Sequence, residues 1–272
     1  MHLKLIKHCI TLLMKKILFT LIALFTVQIA WSQAKNFRAI ENKAFKPGEK
    51  LKFRIHYGFM DAGIAELQVH DEIKTFGGRS CYHFIGTGKT QGAFDWFFKV
   101  RDRYESFTDK NALMPWLFVR RVDEGGYIIN QNVSFNHWSD SAKSEKKTIK
   151  IEAYTQDLVS AFYYARTLDL QHANEGDVFP IMGYLDDELM PLNIKFIGRD
   201  VVKTKFGKIK CLKFKPLLQE GRVFKESESM MVWISDDENK IPIRLQSEIL
   251  VGSIKMDIAD YQNLVAPLAK VN

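Results

Sequence analysis

The sequence has few cysteines and none of the short motifs that mark the common enzyme classes. Cys9 lies in an N-terminal leader, so Cys81 and Cys211 remain, and no Cys-x-x-Cys or Cys/His cluster predicts a metal or redox site. A Gly-x-Ser-x-Gly elbow, a phosphate-binding glycine loop and a His-Glu-x-x-His motif are all missing. The histidines outside the leader are isolated from one another: His56, His70, His83, His137 and His172. We expect no metal and no cofactor, and binding is favoured over catalysis, although a catalytic triad can also be assembled from distant segments.

Two cysteines in an oxidising compartment can form a disulfide, but the bridge requires their Cα atoms to lie within about 7 Å. Cys81 and Cys211 occupy equivalent places in two similar halves of the chain. Equivalent strands come that close only where the halves meet. The sequence therefore does not decide whether a disulfide forms, and two unpaired, partly buried thiols are favoured.

Charged residues are not clustered, and the chain has no proline- or serine-rich linker. The formal net charge of +7 falls to +3 when residues 1–32 are removed, because this leader contains four lysines and no acidic residue. The composition does not support a nucleic-acid partner. We expect a monomer with one β-rich domain, 45–262, between a polar lead, 33–44, and a tail, 263–272.

The leader has the three parts of a secretory signal. Lysines after Met14 precede an apolar run, Ile17–Trp31, which ends in Ala-Trp-Ser before Gln33. Polar residues interrupt the run, so a retained membrane-spanning helix is the less favoured alternative. We expect a signal peptide that is cleaved near Ser32/Gln33 and a periplasmic or secreted protein, at most peripheral to envelope membranes. Translation can start at Met1 or at Met14.

Alternating apolar and polar residues predict strands over most of the remaining chain. The first four run from Leu51 to Phe59, from Ala65 to Val69, from Ser80 to Ile85 and from Trp96 to Phe107. The aromatic residues at the start of the fourth are either core or the lining of an apolar ligand site, and the core is favoured.

The second half of the chain repeats features of the first. Phe-Gly-x-x-x-Cys-x-x-Phe begins at Phe76 and again at Phe206, and after each copy an acidic turn, a proline and a glycine follow in the same order. Two similar β-meanders, about 50–135 and 190–261, are therefore predicted. Acidic runs at 186–188 and 236–238 lack the pattern of a calcium loop, and we interpret the second as an Asp-x-Asn turn like that at 109–111.

Glycines predict the register of two hairpins, in which apolar residues of both strands share a face. A two-residue turn at Gly125-Gly126 gives these pairs: Val122–Ile129 and Phe118–Val133. A turn at Gly252-Ser253 gives these: Val251–Ile254, Ile249–Met256 and Ser247–Ile258.

Residues 157–168 form the one stretch with a clear helical spacing. Asp157 or Thr155 can cap the first free N–H groups, and an apolar stripe contains Leu158, Ala161, Phe162, Ala165 and Leu168. A helix this short is marginal alone in water, so the stripe must lie against a sheet. The chain is predicted to be mainly β, a curved antiparallel sheet or open barrel built from the two meanders, with one short helix on the concave side.

The predicted helix also carries polar tips that can face a ligand. The candidate binding residues are Trp96, Phe162, Tyr163, Tyr164 and Arg166. In the alternative interpretation, Trp96 is core and the tyrosine hydroxyls join the helix to strand carbonyls. No residue is assigned as catalytic.

Several motifs resemble a family of exported Gram-negative proteins known only as a domain of unknown function. They are Phe45-Lys-Pro-Gly-Glu-Lys-Leu, Tyr57-Gly-Phe59 with Ala62-Gly63, Gly86-x-Gly88-x-Thr90, the helix 157–166, Trp233-Ile-Ser-Asp-Asp, Ile241-Pro-Ile-Arg and Val251-Gly-Ser. The resemblance extends from about Phe45 to Tyr261 and implies export and a β-rich fold, with no catalytic residue carried across. A looser similarity of architecture to periplasmic lipoprotein and lipid carriers concerns the fold alone.

Three functions remain open. We expect an exported, non-enzymatic envelope protein that binds an apolar or amphipathic molecule, or a peptide, in its concave sheet. An envelope hydrolase that acts on glycan or lipid is one alternative. A structural or assembly partner that pairs through an exposed sheet edge is the other.

Overall fold

The computed structural model describes residues 35–217, 230–249 and 252–271. The chain divides into two units after Arg38, and every element below belongs to the second, Ala39–Asn272. The expected signal peptide and its cleavage site lie outside the described residues. No helix in the described part of the chain is long and apolar enough to cross a membrane.

Strands dominate the described residues, with two short helices between them. The first part of the chain contains β1 (Lys50–Tyr57), β2 (Met60–Val69), β3 (Lys74–Phe76), β4 (Arg79–Thr90), α1 (Gly92–Phe97), β5 (Arg101–Asp109), β6 (Pro115–Glu124), β7 (Tyr127–Asn136), β8 (Ser141–Lys143), β9 (Thr148–Lys150) and α2 (Leu158–Ala165). The second part contains β10 (Val178–Phe179), β11 (Met182–Leu185), β12 (Glu188–Pro191), β13 (Asn193–Thr204), β14 (Gly207–Leu217), β15 (Met230–Ser235), β16 (Pro242–Glu248) and β17 (Ser253–Gln262).

One large antiparallel sheet contains all strands except the separate hairpin β11–β12. Its strand order is β10-β13-β14-β15-β16-β17-β1-β2-β4-β5-β6-β7-β8-β9, and β3 pairs with β4 at one side. In the part of the chain described, the end strands β9 and β10 do not pair with each other, so the sheet is curved but not closed. This confirms the predicted fold class.

The two halves of the chain join where β17 pairs with β1, with Phe53 opposite Ile258 and Ile55 opposite Met256. Strands β4 to β7 in the first half and β14 to β17 in the second are each consecutive neighbours. This is the arrangement that the sequence repeat predicts. Because β17 and β1 are hydrogen-bonded neighbours, the two meanders form one continuous sheet.

The register of the first hairpin is confirmed and that of the second is wrong. In β6–β7, Val122 lies opposite Ile129 and Phe118 opposite Val133, as predicted. In β16–β17, Ser247 lies opposite Ile254 rather than Ile258, and the amide of Ile249 donates to the carbonyl of Gly252. The predicted partner Val251 lies outside the described residues.

Gly252 does not open the turn as predicted, because its carbonyl is paired with the amide of Ile249. Its φ is +83°, and a Cβ at this position would lie 3.2 Å from the ring of Tyr57. Close packing of a neighbouring ring, together with the positive φ, accounts for the glycine.

The fourth predicted strand, Trp96–Phe107, is also wrong at its start. Residues Gly92–Phe97 form α1, and the strand begins at Arg101. Gly92 has a φ of +57°, which turns the chain out of β4, and Asp95 then accepts hydrogen bonds from Thr90 and Arg101. These side-chain contacts favour a helical turn over the strand that the alternation predicts. The aromatic residues of this segment are exposed rather than core, and Trp96 is 82% exposed.

The predicted cap of α2 is confirmed. Oδ1 of Asp157 accepts hydrogen bonds from the amides of Val159 and Ser160 at 2.8 and 2.7 Å. In return, the Ser160 hydroxyl accepts from the amide of Asp157 at 2.9 Å, which completes a capping box. The other candidate, Thr155, donates instead to the carbonyl of Glu152.

The buried face of α2 differs from the predicted stripe. Val159, Tyr163 and Arg166 are buried, whereas Leu158 and Phe162 are only partly covered. Tyr163 stacks on Phe84 of the sheet, with ring centroids 3.8 Å apart. The prediction failed because it counted tyrosine and arginine as polar, although a ring and an alkyl stem can be buried when the tip is accommodated.

The acidic turn that recurs in the two halves has the predicted structure. Oδ1 of Asp109 accepts from the amides of Asn111 and Ala112. Oδ1 of Asp237 accepts in the same way from Asn239 and from Lys240. Both carboxylates therefore bind their own backbone, as an Asp-x-Asn turn requires.

Cys81 and Cys211 are free, which confirms two unpaired thiols. Both are fully buried rather than partly buried. Burial raises the pKa of each thiol to about 12. Such thiols are poor nucleophiles and do not offer a redox site.

The cap of α2 generates a pH-dependent prediction. Burial raises the pKa of the Asp157 carboxyl to about 6, although hydrogen bonds from Ser106 and the helix amides oppose this. Because the folded state holds the proton more tightly than the unfolded state, with a pKa of about 3.9, the free energy of unfolding falls as pH rises between these values. Asp157→Asn keeps the cap and cannot titrate. In urea unfolding, its advantage over the parent should grow by about 2–3 kcal/mol between about pH 4 and about pH 7.

Asp157→Ala is the control, because it removes both the titration and the cap. It should share the pH trend of Asp157→Asn and be less stable than that variant by about 0.5–2 kcal/mol at every pH. Parallel pH profiles for Asp157→Asn and the parent would contradict the account.

Candidate functional site: a polar strip on the helix-bearing face

Arg166, a candidate binding residue, is 2% exposed, and its guanidinium binds other parts of the same chain. Its Nη1 and Nη2 bind the two carboxylate oxygens of Glu49 at 2.6 and 2.7 Å. Nη2 also donates to the carbonyl of Ala44, and Nε to that of Asn239, both at 2.9 Å. The guanidinium therefore holds three segments of the chain together.

The other candidate residues do not form one site with Arg166. The Tyr163 hydroxyl is buried and has no hydrogen-bond partner within the described residues, so it does not join α2 to a strand carbonyl. Phe162 and Tyr164 pack at the edge of the same core cluster. Trp96 lies on α1, which follows the end of β4. Phe84 lies about six residues before that end, a distance of roughly 20 Å along the strand.

The sheet face that carries α2 has an apolar core around Phe84. At the next positions along the same strands, toward α1, this face carries polar residues instead. Residues opposite each other in an antiparallel ladder share a face. Beyond Phe84, one such row across β2, β4, β5, β6 and β7 contains Leu67, Gly86, Tyr104, Arg120 and Gln131. The next row contains Ala65, Gly88, Asp102 and Val122. We call Tyr104, Arg120, Asp102 and the neighbouring Glu124 the polar strip.

The hairpin β11–β12 is bound to this face through its turn. Arg120 Nη1 donates to Asp186 at 2.6 Å, and Gln131 Nε2 donates to Asp187 at 3.4 Å. Asp187 also accepts from the Tyr184 hydroxyl at 2.6 Å. Both turn residues have positive φ, 51° and 64°, as a two-residue hairpin turn requires. The acidic run is thus a turn with two anchoring contacts.

Arg120 retains unused hydrogen-bonding capacity. Its guanidinium lies 6.0 Å from the centroid of the Tyr104 ring, and its Nε is buried without a partner among the described residues. An orphaned donor of this kind costs free energy unless water or a ligand satisfies it. The Nε of Arg120 is thus an unsatisfied donor inside the strip.

A carboxyl pair lies beside this arginine. Burial, and then repulsion from Glu124, raises the pKa of Asp102 to about 6, while the amide of Asp123 donates to Asp102 at 3.3 Å and opposes the shift. Burial also raises the pKa of the Tyr104 hydroxyl, and the charge of Asp102 adds to this effect. Groups with perturbed pKa values that lie together mark candidate functional sites.

Two glycines lie on the core face of β4 next to the strip: Gly86 is buried, whereas Gly88 is only partly covered. A Cβ at Gly86 would lie 3.3 Å from Leu67, and one at Gly88 would find its nearest described neighbour, Cβ of Asp102, at 4.0 Å. Neither glycine has a positive φ, so the backbone does not require them. We call the space that the missing side chain of Gly88 leaves, between Ala65 and Leu67 on β2 and the polar strip on β5, the trough.

A second depression, of about 320 Å³, lies on the opposite face of the same strands. Three of its charged residues form ion pairs: Lys52 with Glu66 at 3.3 Å, and Arg103 with the neighbouring Glu105 at 2.8 Å. Such exposed pairs form a solvated cross-strand ladder and do not converge on a ligand.

The polar strip has a signal in the sequence, which the predicted site residues do not include. The alternation that buries Phe84 and Phe118 also puts Gly86 and Arg120 on the core face, and Asp102 and Tyr104 follow in the partner strand. Polar residues and glycines at core-face positions of adjacent strands are the pattern that marks it. For metals, the described residues contain no group of three or more His, Cys, Asp or Glu side chains that could hold an ion.

Comparison with known proteins assigns the family. The family model for a protein of unknown function, DUF3108, matches residues 52–259. The chain belongs to this family. The match covers both meanders and α2, as the resemblance seen in the sequence motifs implied. No curated protein matches the chain.

Solved structures share the architecture of this family member at low sequence identity. The crystal structure of a β-barrel-like protein of a domain of unknown function, DUF1849, from Brucella abortus has a TM-score of 0.52 at 9% identity, over 84% of this chain and 99% of that chain. It is similar in fold alone.

Two further structures have lower scores. A candidate lipoprotein from Parabacteroides distasonis has a TM-score of 0.35 at 11% identity, and a candidate exported protein with a YmcC-like fold from Bacteroides fragilis has 0.32 at 9%. Each covers 84% of this chain and 100% of its own. Scores this low support no inference about this chain.

The carboxyl pair yields a prediction for NMR. Asp102 should titrate near pH 6, and Glu124→Gln should lower that midpoint, because it removes the repulsion but leaves the burial. Titration of the side-chain carboxyl carbons measures both midpoints. Glu105→Gln, on the opposite face of β5, is the matched control and should leave Asp102 unchanged. A parent midpoint near pH 4, or no effect of Glu124→Gln, would show that the pair does not interact.

Proposed function

We propose that this protein is an exported, non-enzymatic envelope protein that binds an amphipathic molecule on the face that carries α2. The trough at Gly88 carries this proposal, because it lies between apolar side chains and the polar strip, which contains the unsatisfied Arg120 donor. Binding sites commonly combine an apolar lining with a few convergent polar groups. Export is supported by the signal-like leader.

In this proposal, the two parts of the ligand have different partners. The apolar part lies in the space above Gly88, against Leu67 and the ring of Tyr104. The polar part binds Arg120 and the carboxyl pair. Trp96 does not line this trough, and Tyr163 and Arg166 are buried in the core.

Catalysis by the carboxyl pair is less well supported. Asp102 and Glu124 are close enough to hydrogen-bond to each other. The two carboxyl groups of a glycosidase stand at least about 5 Å apart, with the sugar between them. Two carboxyl groups within hydrogen-bonding reach leave no such space, so the hydrolase alternative is not favoured.

Partner binding through a sheet edge is also less well supported. The end strands β9 and β10 contain three and two residues. Short edge strands offer few unpaired backbone groups to another chain. Strand addition would therefore gain few hydrogen bonds.

Filling the trough tests the proposal. Gly88→Leu should weaken binding of a dansyl-labelled fatty acid by about tenfold or more, which corresponds to about 1.4 kcal/mol, because the new side chain occupies the space of the ligand. Fluorescence titration measures the affinity, and native mass spectrometry of protein purified from cells should show a lipid-sized mass that organic extraction removes.

Thr87→Leu is the matched control, since it adds the same side chain on the opposite face of the same strand. It should bind the probe like the parent protein. Equal binding by folded Gly88→Leu and parent, or no retained mass and no probe binding in the parent, would refute the proposal.

A further inference from the structure

Exposed apolar side chains are concentrated at one end of the sheet. Of the thirteen large hydrophobic residues exposed in the described chain, eight lie in the turns and adjoining strand ends at this end. We call them the apolar rim: Phe59, Met60, Trp96, Phe97, Phe98, Tyr127, Ile128 and Ile254. Scattered exposed hydrophobics are ordinary, whereas a contiguous group marks an interaction surface.

Strand pairing places the members of the rim side by side. Ile254 lies opposite Tyr57, and Tyr57 lies opposite Met60, so the start of β17 and the β1–β2 turn are neighbours. Further along, Val100 bridges to Glu124, so α1 lies between the β1–β2 and β6–β7 turns. The rim spans the ends of eight consecutive strands, roughly 34 Å along the sheet.

The aromatic residues of α1 are held in their exposed positions. Arg101 donates twice to Asp95, at 2.6 and 3.0 Å, and the Thr90 hydroxyl donates to the same carboxylate at 2.7 Å. These bonds lower the pKa of Asp95 to about 2, and the bond from Arg101 has the largest effect. A Cβ at Gly125 would lie 2.6 Å from the Phe98 ring, so this ring rests on the neighbouring turn. The exposure of Trp96 and Phe97 is therefore built into the fold.

The chemistry of the rim fits the surface of a phospholipid bilayer. Tryptophan and other aromatic rings favour the level of the lipid headgroups. Lys89 and Lys99, at the base of α1, are exposed and form no ion pair among the described residues. Asp95 is neutralised by Arg101, and Asp61 of the adjacent turn by Arg54. Residues 89–101 carry a net charge of +2, which complements anionic headgroups, and the acidic Asp123 and Glu124 lie on the neighbouring strand end.

We propose that the apolar rim docks this protein on the surface of an anionic phospholipid bilayer, with Trp96 and Phe97 inserted among the headgroups and Lys89 and Lys99 bound to lipid phosphates. The docking is peripheral and involves only the turns at one end of the sheet. It does not depend on the ligand trough, so either proposal can fail without the other.

Vesicle flotation tests the docking. The probe is a vesicle of phosphatidylethanolamine and phosphatidylglycerol, and the protein is purified from cells with its N-terminus determined by mass spectrometry, so that an uncleaved leader cannot act as an anchor. Trp96→Ala/Phe97→Ala should reduce binding by about tenfold or more, because two exposed aromatic rings lose their apolar contact. Lys89→Glu/Lys99→Glu should also weaken binding, most strongly at low salt.

The matched control is Trp138→Ala, an exposed tryptophan in the β7–β8 turn at the other end of the sheet. It should float like the parent, and Gly88→Leu should do so as well. Unchanged flotation of Trp96→Ala/Phe97→Ala, or no vesicle binding by the parent, would overturn the proposal. A third result would also overturn it: a parent protein that is a dimer by analytical ultracentrifugation and does not bind vesicles, and a Trp96→Ala/Phe97→Ala variant that is a monomer. The rim would then bind a second copy of the chain.

Discussion

The buried ion pair between Glu49 and Arg166 is the contact on which the rest of the structure depends. Both side chains are almost completely excluded from water. Arg166 lies at the end of α2 and Glu49 at the start of β1, and the same guanidinium binds the carbonyl of Asn239 in the turn before β16. Asn239 in turn exchanges two hydrogen bonds with Ala266 near the C-terminus. Each charge is tolerated in the interior only because the other is present.

This contact determines which part of the sheet α2 covers and which part it leaves uncovered. The helix is held over Phe84 and the other large apolar residues of one cluster. Toward α1, the same face continues as the glycine trough and the polar strip. Core, trough and apolar rim therefore follow one another along the strands of one sheet. A ligand that leaves a membrane at the rim would reach the trough without crossing the core.

Much of the fold follows from local sequence, and most of the site does not. Alternation, the Asp157 cap and the Gly125-Gly126 turn depend on neighbouring residues, so the strands, the helix start and one hairpin could be predicted. Arg166 read as polar because Glu49, more than a hundred positions away, was not visible as its partner. Likewise α1 depends on contacts of Asp95 with residues on both flanking strands. The polar strip arises only when β4, β5 and β6 are in register.

The most direct test of the central claim is a double-mutant cycle at the buried pair, measured by urea unfolding. Glu49→Leu and Arg166→Met should each lower the free energy of unfolding by about 3–5 kcal/mol, because each leaves a buried charge without its partner. The double variant should be no less stable than the worse single variant, which gives a coupling energy of several kcal/mol. Additive losses, with a coupling energy below about 0.5 kcal/mol, would contradict the account.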